Sequence, residues 1–190
     1  MGIKFACVRT GRTLTRGYTH WLLESRTKRP KKGVRTVELA AGSKAPGFNL
    51  PRNGGGTISL ADLAGKPAVL FFYPKDDTPS CTSEAIAFSA LNTAFSALGA
   101  TVIGLSPDPV KKHDKFTAKH GLSVILAADE DREAIGAYGV WKEKSMYGRK
   151  YMGVERTTFL VDGDGVIVKV WEKVKVPGHA EEVLKAVEAL

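Results

Sequence analysis

An α/β layer fold, with a mixed central sheet flanked by helices in a single domain, is what the order of apolar runs predicts for this chain of 190 residues. Two near-continuous apolar stretches, KPAVLFFYP (66–74) and ATVIGLSP (100–107), have strand length and no polar face, the pattern of strands covered on both sides. Each is followed by a segment with helical spacing, the order that builds parallel crossovers. Near the C-terminus, RTTFLVDGDGVIVKVWE (156–172) reads as two strands about an Asp-Gly turn, so an antiparallel hairpin adds an edge to the sheet.

The elements follow in chain order. SKAPGFNLP (43–51) reads as a loop and a short extended segment, and RNGGGTISL (52–60) as a hairpin-type turn with three consecutive glycines. Ser59 precedes LADLAG, a helix of one to two turns ended by Gly65. Residues 79–98 read as a helix with Ile86, Leu91, Phe95 and Leu98 at helical spacing and Gly99 as its stop. DPVKKHDKFTAKHG (108–121) is a polar amphipathic helix opening at Asp108 and Pro109. SVILAAD (123–129) is a short strand and EDREAIGAYG (130–139) a short helix. Residues 142–153 read as a loop bearing Gly and Lys, and GHAEEVLKAVEAL (178–190) as a C-terminal amphipathic helix.

The formal net charge of +8 is unevenly placed. Residues 1–36 hold ten Lys/Arg against one acid, Glu24, a net +9, whereas residues 37–190 hold eighteen against nineteen, a net −1. The folded part, beginning near Val37, therefore has no basic field that would draw in nucleic acid. Residues 1–36 read as a separate basic extension, a disordered arm or sequence from an upstream start. An Arg-rich, acid-poor segment is also the composition of an organelle presequence, though no clear amphipathic face appears, and KRPKK has the make-up of a nuclear address. No apolar run reaches the ~18–20 residues of a membrane span. Two cysteines, Cys7 and Cys81, do not make a disulfide scaffold, and a reducing, cytoplasmic compartment is the expectation.

Cys81 is where the chemistry concentrates. In PKDDTPSC (74–81) it falls in the first turn of the helix that follows a central strand, with Pro79 a favoured first-turn residue and Thr78 a candidate cap. Unpaired backbone N–H groups and the positive end of the helix dipole favour a thiolate there. Thiol-disulfide exchangers carry C-x-x-C at such a turn; this chain has T-P-S-C. A hydroxyl cannot close a disulfide, but it can donate a hydrogen bond to an oxygen beside the sulfur, which favours a cysteine that attacks a substrate. A thiolate also wants a fixed cation nearby, whose guanidinium or ammonium can hydrogen-bond oxygens that gain negative charge; an isolated arginine at the start of a strand, such as Arg156, reads by default as solvated.

P-x-x-x-T-x-x-C, formed by Pro74, Thr78 and Cys81, resembles the active-site signature of the peroxiredoxins. FFYPKDDTPSCTSEA resembles the bacterioferritin-comigratory, or Q-type, subgroup, and SKAPGF, YGVW and ERTTFLVDGDG occur in matching order, so the resemblance spans about residues 40–190. It implies a thioredoxin-like fold and a thiol-dependent peroxidase of hydrogen peroxide and alkyl hydroperoxides, needing no metal or bound cofactor. It implies Cys81 as peroxidatic nucleophile, Thr78 as hydrogen-bond partner of the peroxide, Pro74 as shield from water and Arg156 as the group that completes the site. A monomer or weak homodimer is the family-level expectation. The competing reading is a peroxide-sensing relay that signals through oxidation of Cys81.

Many members of the subgroup carry a second cysteine five residues after the first; here that position is Ile86. Residues 37–190 contain no other cysteine, which excludes an intradomain disulfide. Resolution of an oxidised Cys81 then falls to an external thiol (thioredoxin, glutaredoxin or a low-molecular-weight thiol), to a second Cys81, or to Cys7, which reads as incidental. Glu84, one turn beyond Cys81, reads as local structural support, and Asp76 and Asp77 as solvated turn residues. Phe48, Tyr73, Phe88 and Trp141 read as core aromatics that could wall a site, and Gly47 stands where the family often has Asp. His20, His113, His120 and His179 are scattered and read as solvated rather than metal-binding.

Overall fold

The computed structural model describes residues 39–146 and 148–190. The boundary placed between residues 36 and 37, the basic segment before it and Cys7 lie outside the described residues. The described chain opens with a hairpin, β1 (Asn49–Pro51) and β2 (Thr57–Ser59). Gly54, Gly55 and Gly56 at its turn have φ of +72°, +87° and +77°, a region glycine enters without steric cost. A single 3-10 turn, Ala61–Leu63, follows. Ser59 Oγ accepts from the Asp62 N–H (3.3 Å) while the Asp62 carboxylate accepts from the Ser59 N–H (2.8 Å), a reciprocal cap.

The central unit is β3 (Ala68–Phe72), α1 (Pro79–Ala97), β4 (Thr101–Ser106), α2 (Val110–His120), β5 (Ile125–Ala128) and α3 (Glu133–Ala137). Then come the ribbon β6 (Trp141–Met146) and β7 (Arg149–Val154), the strands β8 (Thr157–Val161) and β9 (Ile167–Trp171), and α4 (His179–Glu188). The main sheet has the order β5-β4-β3-β8-β9, with β3, β4 and β5 parallel and β8 and β9 antiparallel to their neighbours. This is the expected mixed sheet, in the thioredoxin-like arrangement.

Every residue of β3 is buried because both faces are covered. Val69, Phe71 and Tyr73 point to a core shared with Cys81, Ala85 and Phe88 of α1, Phe116 of α2 and Val183 of α4. Leu70 and Phe72 point to the opposite core with Ile103, Leu105, Ile135 and Tyr138. The Phe71 ring stacks on Phe88 at 4.8 Å. It lies over β4 where a Cβ at Gly104 would sit 2.5 Å from it, so the glycine makes room for the ring.

Two expectations need correction. The buried stripe of α1 runs through Cys81, Glu84, Ala85, Phe88 and Phe95, so Ile86 (44% exposed) and Leu98 (42% exposed) face outward. The helix is present but rotated from its expected phase, because a buried Cys and Glu, not the larger aliphatics, mark the inner face. Residues 142–153 are not a loop: β6 and β7 form an antiparallel ribbon outside the main sheet, pairing Trp141 with Val154 through Met146 with Arg149. Tyr151 and Met152 are exposed on it, so there is no apolar-in, polar-out alternation to read. No helix among the described residues is long and apolar enough to cross a membrane.

Candidate active site

The chain leaves the C-terminal end of β3 at Tyr73, turns through residues 74–78 and enters α1 at Pro79. Thr78 has extended backbone geometry (φ −98°, ψ 149°) and occupies the capping position. Its hydroxyl, however, donates to the Lys75 carbonyl at 3.1 Å instead of capping the helix. The Thr82 N–H bonds the Thr78 carbonyl at 2.8 Å, so the Ser80 and Cys81 N–H groups precede the first intrahelical bond. Cys81 thus sits at the positive end of the helix, as its sequence context implies, and is 1% exposed.

β8 runs antiparallel to β3, pairing Thr157 with Phe72, so the residue before Thr157 arrives beside the start of α1. That residue is Arg156. Its Nη2 lies 3.2 Å from Cys81 Sγ, and its Nη1 donates to the Glu84 carboxylate. Two of the four residues to which the resemblance assigns site roles, Cys81 and Arg156, are in direct contact. Pro74 and Thr78 are half-buried in the connecting loop.

The charges around the sulfur are tightly arranged. Burial disfavours the cation on Arg156, but the Glu84 carboxylate and Cys81 more than offset this, and its proton is held more firmly than usual. Glu84 is 1% exposed, and burial pushes its carboxyl up to about 7, with Arg156 pulling the other way. Its Oε1 has no hydrogen-bond partner among the described residues. Glu84 therefore does more than support α1: it holds the guanidinium that faces the thiol. Lys144, from the ribbon, donates to the Val154 carbonyl. Burial lowers its proton affinity, Glu155 raises it, Arg156 lowers it and Cys81 raises it, so the ammonium lies within the electrostatic reach of the site. Reading residues 142–153 as a loop hid that placement.

Asp76 is not a solvated turn residue: it is 2% exposed and accepts from Tyr73 Oη and His113 Nδ1, each at 2.7 Å. His113 is 0% exposed, and His179 is buried against Phe88 and Trp171, where burial lowers its basicity to about 4. The reading of solvated histidines is corrected for both. A signal existed for His113: it lies one turn before Phe116 and two before His120 on α2, the stripe that packs inward. Asp77 is exposed as expected and pairs with Lys119 and His120. Tyr73 and Phe88 are core, and Trp141 packs on the opposite core with Arg132 over its ring at 4.9 Å.

The sequence and the fold that carry this turn are similar to those of known proteins. Residues 41–170 match the AhpC/TSA family. The chain is 48% identical over 148 residues to the putative peroxiredoxin bcp of Coxiella burnetii, spanning 78% of this chain and 98% of that one. It is 45% identical over 153 residues to peroxiredoxin Bcp of Bacillus subtilis, covering 80% and 96%. Among solved structures, peroxiredoxin Q of Xanthomonas campestris superposes with a TM-score of 0.73 at 43% identity, covering 80% of this chain and 96% of that one. A structure of the bacterioferritin comigratory protein of the same organism, described in terms of its alkyl peroxide reduction activity, gives 0.73 at 42%, covering 80% and 97%. The chain belongs to the AhpC/TSA family, and within it to the Bcp or Q-type peroxiredoxins.

Proposed function

We propose that this peroxiredoxin reduces hydrogen peroxide and alkyl hydroperoxides by a one-cysteine route, with an external thiol as reductant. The observation that carries the reading is the 3.2 Å contact between Arg156 Nη2 and Cys81 Sγ at the N-terminus of α1. A guanidinium there can hydrogen-bond the peroxide oxygens as charge moves onto the leaving one. The alkyl hydroperoxide substrate class is taken from the activity described for the Xanthomonas relative.

In the first step the Cys81 sulfur lone pair attacks the terminal peroxide oxygen and the O–O bond breaks. The departing alkoxide or hydroxide takes a proton and leaves as alcohol or water, and Cys81 is oxidised to a sulfenic acid. Arg156 spans both partners of this step, and Thr78 and Pro74, in the loop beside it, orient the peroxide and exclude water. In the second step a thiol from another molecule attacks the sulfenic sulfur, water leaves, and a mixed disulfide forms. A second thiol equivalent attacks that disulfide and returns Cys81 to the thiolate.

Three features support the external thiol. Residues 37–190 hold no second cysteine, Ile86 stands where many subgroup members have one, and Ile86 faces away from the buried side of α1. The catalytic unit is residues 37–190, as a monomer or weak homodimer, with residues 1–36 as an extension. The test is peroxide consumption with thioredoxin, glutaredoxin or a small thiol, alongside Cys81→Ser and intact mass after one equivalent of peroxide. The expected results are turnover lost in the variant and a wild-type adduct of one oxygen or one external thiol. Full turnover in Cys81→Ser would sink the mechanism; a Cys7–Cys81 crosslink would sink the one-cysteine route.

A further inference from the structure

The active-site loop, residues 74–78, contains a carboxylate that the chemistry at Cys81 does not use. Asp76 is 2% exposed. Burying a carboxylate in a loop is costly unless its oxygens are fully engaged. Both are: Oδ1 accepts from Tyr73 Oη and Oδ2 from His113 Nδ1, each at 2.7 Å. The Asp76 N–H donates to Asp108 Oδ2 at 2.6 Å. Asp108 is itself held by Lys112 at 2.7 Å and through its own N–H by Ser106 Oγ at 3.1 Å. One loop residue is thus fixed from the residue that follows β3, from α2 and from the β4–α2 connection. The next residue, Asp77, at φ +60°, turns outward to Lys119 and His120. Those exposed pairs are screened by solvent and hold the loop weakly, so the buried pair dominates.

Position and charge separate two possible roles. A buried negative charge beneath a loop that leads to a thiolate does not favour that thiolate, so the advantage of Asp76 is not electrostatic. Nor is stability a sufficient reason. His113 Nε2 is buried with no hydrogen-bond partner among the described residues, and an apolar side chain would fill that space without an orphaned nitrogen. What remains is geometry. Asp76 lies two residues after Pro74 and two before Thr78, and α1 starts directly after Thr78. Fixing its side chain and its amide fixes the loop that carries both.

We propose that His113 and Asp76 are a positioning pair for the peroxide site, with Tyr73 as the third member, holding residues 74–78 so that Pro74 and Thr78 meet a peroxide in line with Cys81. The inference rests on Cys81 as the peroxide nucleophile. Neither residue touches the reacting atoms; both act through the loop.

The test compares two reactions of Cys81 in the full chain. Reaction with hydrogen peroxide requires the shaped pocket; alkylation by iodoacetamide requires an accessible thiolate. His113→Leu and Asp76→Ala each remove the contact from one side, so either one that folds reads the proposal. Each is expected to slow the peroxide reaction about tenfold or more while alkylation stays within about twofold. Asp76→Asn, which keeps the shape and can still bond both partners, its Oδ1 accepting from His113 Nδ1 and its Nδ2 donating to Tyr73 Oη, is expected to recover most of the peroxide rate, and Asp77→Asn to leave both rates unchanged. Peroxide rates within about twofold of wild type in His113→Leu and Asp76→Ala would overturn the proposal. A parallel fall of both rates, as general loosening would give, would overturn it too. Absence of peroxide reactivity in the wild-type protein would instead remove the reading of Cys81 itself.

Discussion

Glu84 shows how far one residue's role depends on what is packed around it. In sequence it is a carboxylate one turn past a cysteine, the simplest reading being local support. In the fold it is buried, and its partner comes from 72 residues away. Motif and strand-helix handover single out Cys81, Thr78 and Pro74 in the sequence, and the resemblance adds Arg156, which the fold sets against Cys81. Asp76 carries no such signal, and His113 only its place on the inward stripe of α2: a charge in a turn or on a polar helix is ordinarily solvated, and only tertiary packing buries them. The burial of Glu84 has a consequence for pH. Its folded-state carboxyl, at about 7, lies above the value of 4.5 it has when free. The folded protein therefore binds more protons between those values, and the stabilisation is fully present below about 4.5 and lost as pH rises through about 7. The displacement corresponds to roughly 3 kcal/mol. Thermal unfolding of wild type and Glu84→Gln should diverge across this window, with wild type losing stability relative to the variant as pH rises. A constant gap between the two curves would show that the carboxyl titrates normally.

At the scale of the element, legibility follows burial. The central strands of the main sheet are readable as continuous apolar runs because both of their faces are covered, and the extents of α1, α2 and α4 from helical spacing and end signals. The ribbon β6–β7 is not, since a two-stranded element in solvent has no buried face to impose a pattern, and with it goes the placement of Lys144. The phase of α1 was hidden because a cysteine and a glutamate lie on its inner side. That phase sets what a second cysteine could do. Residues five apart on an intact helix have Cα atoms about 8–9 Å apart, beyond the reach of a disulfide. An Ile86→Cys variant is therefore expected to join its introduced thiol to Cys81 only with unwinding of the first turns of α1. Peroxide treatment of this variant should yield the mass of that internal disulfide together with a loss of helical circular dichroism, reversed by dithiothreitol. Disulfide formation with an unchanged helical signal would contradict the helix geometry described for residues 79–97.

At the scale of the molecule, the mixed sheet makes the site. A strand parallel to β3 would begin at the opposite end of the sheet; because β8 is antiparallel, its first residues lie where β3 ends. That topology delivers Arg156 to Cys81 across 75 positions of sequence. All the residues assigned to peroxide chemistry, and the pair proposed to hold the loop, lie between Pro74 and Arg156. The basic charge lies elsewhere: residues 1–36 carry +9 and residues 37–190 carry −1. Hydrogen peroxide is neutral, so the net charge of a cationic segment does not steer its encounter with Cys81. Removing residues 1–36 is therefore expected to leave the second-order rate constant with hydrogen peroxide within about twofold of the full chain, since no site group is lost. The same deletion should abolish any salt-dependent retention on a polyanionic matrix, because the remainder has no excess of basic charge. It also removes Cys7, so intact mass after peroxide should show the same oxygen or external-thiol adduct in both proteins. A rate that collapses on deletion would place a site component within residues 1–36. A product that differs between the two proteins would make Cys7 the second sulfur.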